Sequence, residues 1–302
     1  AYNIAIGYEA GKAVTTGIVN TLMGGLAADA LTTGTANVAL GYAALSSETG
    51  GSNNVAIGYH ALVSQNVGSG NNYNTAIGYN AGAQVTTGVE NTMVGGLAGD
   101  ALTTGTYNVA VGTWALSAED TGGRSTAIGY GTLTNQNYDG SAYNTAIGYN
   151  AGNDITTGVE NTMVGSLAGD ALITGQRNVA IGAYSLSSED TGNYSVAIGH
   201  NALYAQNYDG DAYNTAVGYS AGLNVTTGIQ NTIIGGLAGD ALTTGRDNVV
   251  VGYNAMSTAN GTEARNVAVG TNTLAAMDSD GNNYNTAVGY SAGAAVTTGT
   301  LN

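Results

Sequence analysis

Asn54-Val55-Ala56-Ile57-Gly58 is one copy of the five-residue pattern that decides the fold of this chain. The pattern is Asn, a β-branched residue, a usually small residue, an aliphatic residue and Gly, and it occurs 17 times in 302 residues. The copies begin at residues 3, 20, 37, 54, 74, 91, 108, 125, 144, 161, 178, 195, 214, 231, 248, 266 and 285, with Ser replacing Asn at 125 and 195. A fixed period is typical of repeat architectures, so we interpret residues 1–302 as one repeat array.

Successive copies are mostly 17 residues apart, and every fourth spacing is 19 or 20 residues. Four copies therefore form a larger superrepeat. The superrepeats span residues 3–73, 74–143, 144–213 and 214–284, followed by a partial one at 285–302.

Each copy reads as a short β-strand. Its second and fourth positions are aliphatic or β-branched and alternate with small residues, and Gly clusters such as Thr86-Thr87-Gly88 supply turns. Strand, turn, extended segment and turn fill one rung of a solenoid, in which each rung bonds only to its neighbours. We therefore predict an all-β parallel β-solenoid of about 17 rungs of 17–20 residues, with Asn side chains bonding from rung to rung.

The composition argues against several classes of partner. Twenty acidic residues face five basic ones, for a net charge of −15, so nucleic acid and anionic lipid are poor partners. Apolar stretches are interrupted every few residues by Gly, Asn or Thr, so we expect no membrane insertion. With no Cys, the chain has neither disulfides nor a reactive thiolate.

The Asn-Val-Ala-Ile-Gly strand at 54–58 and 178–182, followed three residues on by Ala, Ser or Thr, carries a family resemblance. It resembles the head repeats of trimeric autotransporter adhesins, the YadA-like β-roll, which also occur in phage tail fibres. The resemblance covers essentially the whole chain and implies a left-handed parallel β-roll, three chains side by side and attachment to host surfaces. The rungs are longer than the usual ones of that family, and the sequence shows neither a coiled-coil stalk nor a membrane anchor, which favours a fibre segment.

One face of the strands is predicted to lie between subunits. If the second and fourth positions point into the roll, the third and fifth form a continuous apolar stripe outside, larger than monomers normally expose. We therefore predict a side-by-side homotrimer whose intersubunit contacts include Leu22, Met93, Met163 and Ile233. The alternative is that this face is the thin interior of the roll itself.

No catalytic constellation emerges, so we do not expect an enzyme. His60 and His200 lie eight rungs apart, about 40 Å at the usual strand spacing. The adjacent acids Glu119-Asp120 and Glu189-Asp190 are interpreted as solvated turn carboxylates rather than acid–base pairs. Left-handed acyltransferase helices carry three aliphatic-Gly pairs per rung, whereas this chain has one.

Other acidic residues are likewise interpreted without a catalytic or metal-binding role. Asp278, Asp280 and Asn282 resemble the opening of a calcium loop, but Gly289 occupies the place of the closing Glu, so a plain turn is favoured and no cofactor is expected. Asp residues recur once per superrepeat and are interpreted as charges that keep an acidic rod in solution. They are Asp29, Asp100, Asp170 and Asp240.

The candidate binding residues lie in loops inserted in the fourth rung of each superrepeat. Residues 135–140 and 206–210 are the clearest loops, with looser versions at 65–68 and 277–281. Insertions in a solenoid map to loops on one side, often the binding side. Tyr with Asn and Asp offers a sugar an aromatic face and planar hydrogen-bonding groups; alternatively, the Tyr rings cover turns with their hydroxyls in water. The predicted receptor or glycan contacts are Asn137, Tyr138, Asp139, Asn207, Tyr208, Asp209 and the lone Trp114.

The favoured function is a structural shaft or head of a phage tail fibre or comparable extracellular filament, on a virion or cell surface, that binds a cell-surface glycan or protein receptor. The alternative is the passenger head of a bacterial trimeric autotransporter adhesin. An ice-binding solenoid would need a Thr ladder on every rung, whereas Thr-Thr-Gly occurs only in the first two rungs of each superrepeat. Both ends are flush with the repeat and carry no cap, which predicts end-to-end assembly.

Overall fold

The computed structural model describes residues 2–302 of the protein. Within these residues the fold is all-β without a helix, and 17 parallel strands stack as a β-solenoid of about 17 rungs. This confirms the predicted fold class. The chain forms two compact units, residues 1–149 and 150–302.

Three-residue strands form the stack in each unit. The first unit contains β1 (Ile4–Ile6), β2 (Thr21–Met23), β3 (Val38–Leu40), β5 (Val55–Ile57), β7 (Thr75–Ile77), β8 (Thr92–Val94), β9 (Val109–Val111), β10 (Thr126–Ile128) and β11 (Thr145–Ile147), and a separate pair, β4 (Gly51–Ser52) and β6 (Gly70–Asn71). The second unit contains β12 (Thr162–Val164), β13 (Val179–Ile181), β14 (Val196–Ile198), β15 (Thr215–Val217), β16 (Thr232–Ile234), β17 (Val249–Val251), β18 (Val267–Val269) and β19 (Thr286–Val288). Equivalent residues of neighbouring rungs lie opposite each other, as Val109 does to Thr126.

The fifth-position Gly ends each strand for a steric reason. Gly95 has a φ of +140°, and a Cβ atom there would lie 2.5 Å from the carbonyl oxygen of Gly112 in the next rung. L side chains rarely adopt that backbone conformation, and the neighbouring backbone cannot yield. The position is accordingly Gly in all 17 copies.

The first-position Asn residues form a buried ladder. The Asn37 backbone N–H donates to Oδ1 of Asn20 at 2.9 Å, and Nδ2 of Asn37 donates to the same oxygen at 3.2 Å. Nδ2 of Asn37 also donates to the carbonyl of Gly51 at 2.9 Å, at the turn that ends its own rung. The predicted amide-to-amide bonding is confirmed, and the side chain additionally satisfies two backbone groups.

The predicted orientation of the strand faces is wrong. The third-position residues Leu22, Met93, Met163 and Ile233 are at most 1% exposed within the single chain, so they form its core and are not intersubunit contacts. The fourth position faces outward instead, as Met23 and Ile234 show, because each is exposed next to a buried third-position residue. The physical reason is the width of the rung. Its interior admits either a small third-position residue together with a Leu, or a larger third-position residue such as Met93 against glycine.

Large and small residues alternate across this thin interior. Ala39 and Ala56 accompany Leu45 and Leu62 in their own rungs, and all four are buried. Met93 instead faces glycine: a Cβ on Gly82 would lie 2.8 Å from its Sδ, and one on Gly99 would lie 3.1 Å from its Cγ. Large and small core residues therefore complement each other in volume, and their order along the chain follows the superrepeat.

Candidate functional site

The inserted loops are anchored by a buried glutamate. Oε1 of Glu119 accepts the Gly122 N–H at 2.7 Å, and Oε2 accepts the Gln136 amide at 3.0 Å and the Tyr138 N–H at 3.3 Å. Glu119 and Gln136 have no exposed surface. The carboxylate therefore ties the loop to the rung before it.

The same anchor recurs in the other superrepeats. Glu189 accepts the Gln206 amide at 2.9 Å, and Glu48 accepts the Gln65 amide at 3.1 Å. In the last loop Met277 occupies the place of the Gln, and Oε1 of Glu263 accepts the Ser279 N–H at 3.2 Å. The loop backbone is thus held by a carboxylate in all four cases.

The loop glutamine also explains where the Asn ladder is interrupted. Nε2 of Gln136 donates to Oγ of Ser125 at 2.9 Å, and Oε1 of Gln136 accepts the Asn144 amide at 2.9 Å. Gln206 donates in the same way to Ser195 at 2.8 Å. Gln therefore supplies the polar groups that Ser lacks relative to Asn. The sequence feature that indicates this role is a Ser at the first position of a copy followed 11 residues later by a Gln.

The interpretation of Glu119 and Glu189 as solvated carboxylates is wrong, because both are fully buried. Burial raises the pKa of each above its ordinary value, and the hydrogen bonds from Gln and from backbone N–H groups offset only part of that rise. Burial also acts on Glu48, but there the N–H groups of Gly51, Gly50 and Val67 and the Gln65 amide outweigh it and hold the pKa below its ordinary value. These carboxylates hold the backbone of the inserted loops.

The predicted contact residues of the first clear loop lie together at the surface. Tyr138 is 37% exposed, and its ring packs against Gly140. Oδ1 of Asp139 accepts the Thr121 hydroxyl at 3.0 Å, while Asn137 is exposed.

The loop at 206–210 is built in the same way. Asp209 accepts the Thr191 hydroxyl at 2.7 Å, Asn207 is exposed and Tyr208 is half-buried. Both Asp side chains therefore bond to the preceding rung, which leaves the Tyr rings and the Asn amides facing solvent.

Trp114 belongs to a surface column of aromatic residues that the sequence reasoning missed. Its ring meets Tyr130 edge-on at 5.2 Å, and Tyr130 stacks on Tyr149 at 5.5 Å. Tyr42, Tyr59 and Tyr79 stack at 5.6 Å in the same unit. The signal was a Tyr directly after the fifth-position Gly.

A second column, formed by the residue before the first position of each copy, places Arg on Tyr. The Arg124 guanidinium lies 5.1 Å from the ring centre of Tyr107 and 5.8 Å from that of Tyr143. In the other unit Arg177 lies over Tyr194 and Arg265 over Tyr284. These contacts join neighbouring rungs at the surface.

A groove of about 550 Å³ lies along residues 208–282 of the second unit. One or two residues from each of five successive rungs line it, from Tyr208 in one inserted loop to Gly281 and Asn282 at the next. Thr227, Thr244 and Arg246 form its middle. Of the predicted contacts, only Tyr208 lines the groove.

Three of the four once-per-superrepeat Asp residues are not simple solubilising charges. Asp100, Asp170 and Asp240 each have a buried Oδ1 atom with no hydrogen-bond partner. Burial raises the pKa of all three. For Asp170, burial and the nearby charge of Asp154 raise the pKa to about 6, against the opposing hydrogen bond of its own backbone.

The plain turn predicted at residues 278–282, in place of a calcium loop, stays a prediction. Oδ1 of Asp280 accepts the N–H and the hydroxyl of Thr262 at 3.3 and 3.4 Å. Among residues 2–302 there is no group of three His, Asp or Glu side chains placed to hold a metal ion.

No protein-family model matches this chain, and a search of curated proteins found no match. No helix of the described residues is long and apolar enough to cross a membrane.

Proposed function

We propose that this protein is a structural segment, shaft or head, of an extracellular fibre that attaches to a host surface, with a phage tail fibre as the favoured setting. The observation that supports this proposal is the outward face of the strands. The second, fourth and sixth positions carry no Asp, Glu, Lys or Arg in any of the 17 rungs. Exposed aliphatic side chains such as Ile147, Ile181 and Ile234 stand on this face, which we call the aliphatic face.

A second copy of the chain is the partner that the aliphatic face fits. Three residues per strand and a spacing of about 4.8 Å give roughly 50 Å² of flat sheet per rung. Over 17 rungs the sum is roughly 800 Å², the area that each partner contributes to a standard interface. Because each chain carries a net charge of −15, copies associate most favourably through a surface without charge. Three copies are what the resemblance to trimeric adhesin heads implies.

Attachment is assigned to the surfaces that remain exposed beside the aliphatic face. Tyr138 and Tyr208 stand in equivalent inserted loops of successive superrepeats. Three chains multiply such sites, so individually weak contacts gain through avidity.

Two measurements test the proposal. Native mass spectrometry should give three times the 29.9 kDa chain mass. The same sample should bind an array of immobilised bacterial surface polysaccharides. Replacing both Tyr138 and Tyr208 by Ala should lower binding more than either single change predicts, with the thermal midpoint nearly unchanged, because exposed loop changes shift stability by about 0.5 kcal/mol or less. A monomer that binds no polysaccharide would contradict both parts of the proposal.

A further inference from the structure

The groove of the second unit contains a basic residue that differs from every other in the chain. Within residues 2–302, the other four basic side chains each contact a carboxylate or a Tyr ring, whereas Arg246 contacts neither. Arg246 is exposed and lines the groove. Its five N–H donors therefore face solvent in the middle of a concave surface.

The acids around the groove are engaged with other groups. Asp247, the next residue, forms an ion pair with Arg265 at 3.4 Å. Asp280 accepts hydrogen bonds from Thr262, and Glu263 is buried and accepts the Gly261 N–H at 2.9 Å. Arg246 thus remains a local positive charge in a chain whose net charge is −15.

Arg246 is also a departure from the repeat. The equivalent position in the other superrepeats is Thr35, Thr106 or Gln176, none of which is charged. The neighbouring wall residue, Ile229, keeps its aliphatic character as Ile18, Val89 and Val159. The aliphatic residue of the groove wall is thus common to the superrepeats, whereas the positive charge occurs in this superrepeat alone among the four.

We propose that this groove binds an anionic oligosaccharide, with the guanidinium of Arg246 pairing a sugar carboxylate or ester sulfate. This inference rests on the proposed attachment function and names the ligand class of one site. A planar guanidinium binds such anions through two parallel N–H···O bonds. The Tyr208 ring offers an apolar surface to the C–H face of a sugar, and Thr227, Thr244 and Asn282 offer groups that bond its hydroxyls. Four rungs from Tyr208 to Asn282, about 19 Å, accommodate several linked sugars.

The test is calorimetric binding of the full chain to three polymers: hyaluronan for carboxylates, a chondroitin sulfate for sulfates and dextran as the neutral control. We expect binding to an acidic polymer, weakened by salt, and none to dextran. Arg246→Gln, which installs the residue found at 176, should reduce acidic binding roughly tenfold or more because a charge-assisted pair is lost. Lys12→Gln removes the same charge outside the groove and should bind as the parent does.

Each outcome decides the inference. Parent-like binding by Arg246→Gln, equal losses in Arg246→Gln and Lys12→Gln, or no binding to either acidic polymer would overturn it. Because Arg246 is exposed, its replacement should leave the thermal midpoint unchanged, which separates a binding defect from unfolding. If Arg246→Gln binds the acidic polymers like the parent and the parent binds the bacterial polysaccharide array, the groove inference fails while the attachment function stands. If the parent itself does not bind that array, the attachment function fails.

Discussion

At the scale of single residues, the buried Asn side-chain amide bonds two backbone groups at once, while its backbone N–H bonds the Asn of the preceding rung. The Asn108 N–H donates to Oδ1 of Asn91, Oδ1 of Asn108 accepts the Ser125 N–H at 3.0 Å, and Nδ2 donates to the Gly122 carbonyl at 2.9 Å. Asn108→Ala leaves an N–H and a carbonyl buried without partners. We expect a loss of about 2 to 5 kcal/mol in the free energy of unfolding by denaturant titration. Asn137→Ala, in an exposed loop, should change it by about 0.5 kcal/mol or less. Equal losses of stability for Asn108→Ala and Asn137→Ala would contradict the stabilising role of the Asn ladder.

Asp170 gives the stability a dependence on pH. Its pKa in the folded chain, about 6, lies above that of an unfolded Asp, so the folded state takes up a proton first as the pH falls. Its stabilising effect is therefore present at low pH and is lost as the pH rises through about 6. We expect the thermal midpoint to increase as the pH falls from about 7 to about 5. The raised pKa values of Asp100, Asp240, Glu119 and Glu189 have the same sign of effect on stability.

The substitution Asp170→Asn isolates that contribution. The neutral amide should raise the midpoint at pH 7 and flatten its pH dependence, whereas Asp278→Asn removes an exposed charge and should do neither. An unchanged pH profile in Asp170→Asn would show that the buried carboxylate does not control it.

At the scale of the strand, two methionines on opposite faces allow a direct comparison of the same substitution. Met93 occupies a third position and is fully buried against Gly82 and Gly99, whereas Met23 occupies a fourth position and is 42% exposed. Met93→Ala opens a cavity and should cost about 2 to 5 kcal/mol by denaturant titration. Met23→Ala should cost less, about 1 kcal/mol, because Met23 lies outside the core of the single chain. A larger loss for Met23→Ala than for Met93→Ala would support the opposite orientation, with the second and fourth positions inside, as the sequence analysis predicted.

The strand is also where prediction from sequence succeeded and failed. Alternation of Val38, Ala39 and Leu40 establishes a strand with two faces, and the 17-residue period establishes its stacking. Alternation alone does not say which face is inside. That depends on the buried residues that fill the rest of the rung, such as Leu45, which lies several residues further along the chain. The role of Gln136 was missed for the same reason, since its partners Glu119 and Ser125 lie in the previous rung and at the start of its own rung.

At the scale of the whole molecule, the aliphatic face decides the state of association. Lys at Ile147 and Ile234 would place charges in an interface that otherwise has none, and burying an unpaired charge is strongly unfavourable. We expect Ile147→Lys with Ile234→Lys to have the 29.9 kDa mass of one chain in native mass spectrometry. The fold should remain, because both side chains are exposed in the single chain. Thr104→Lys with Thr174→Lys adds the same charge at exposed turn positions and should keep the mass of three chains. If the Ile variant also keeps that mass, the chains associate through another surface, and a monomeric parent would remove the aliphatic face from consideration altogether.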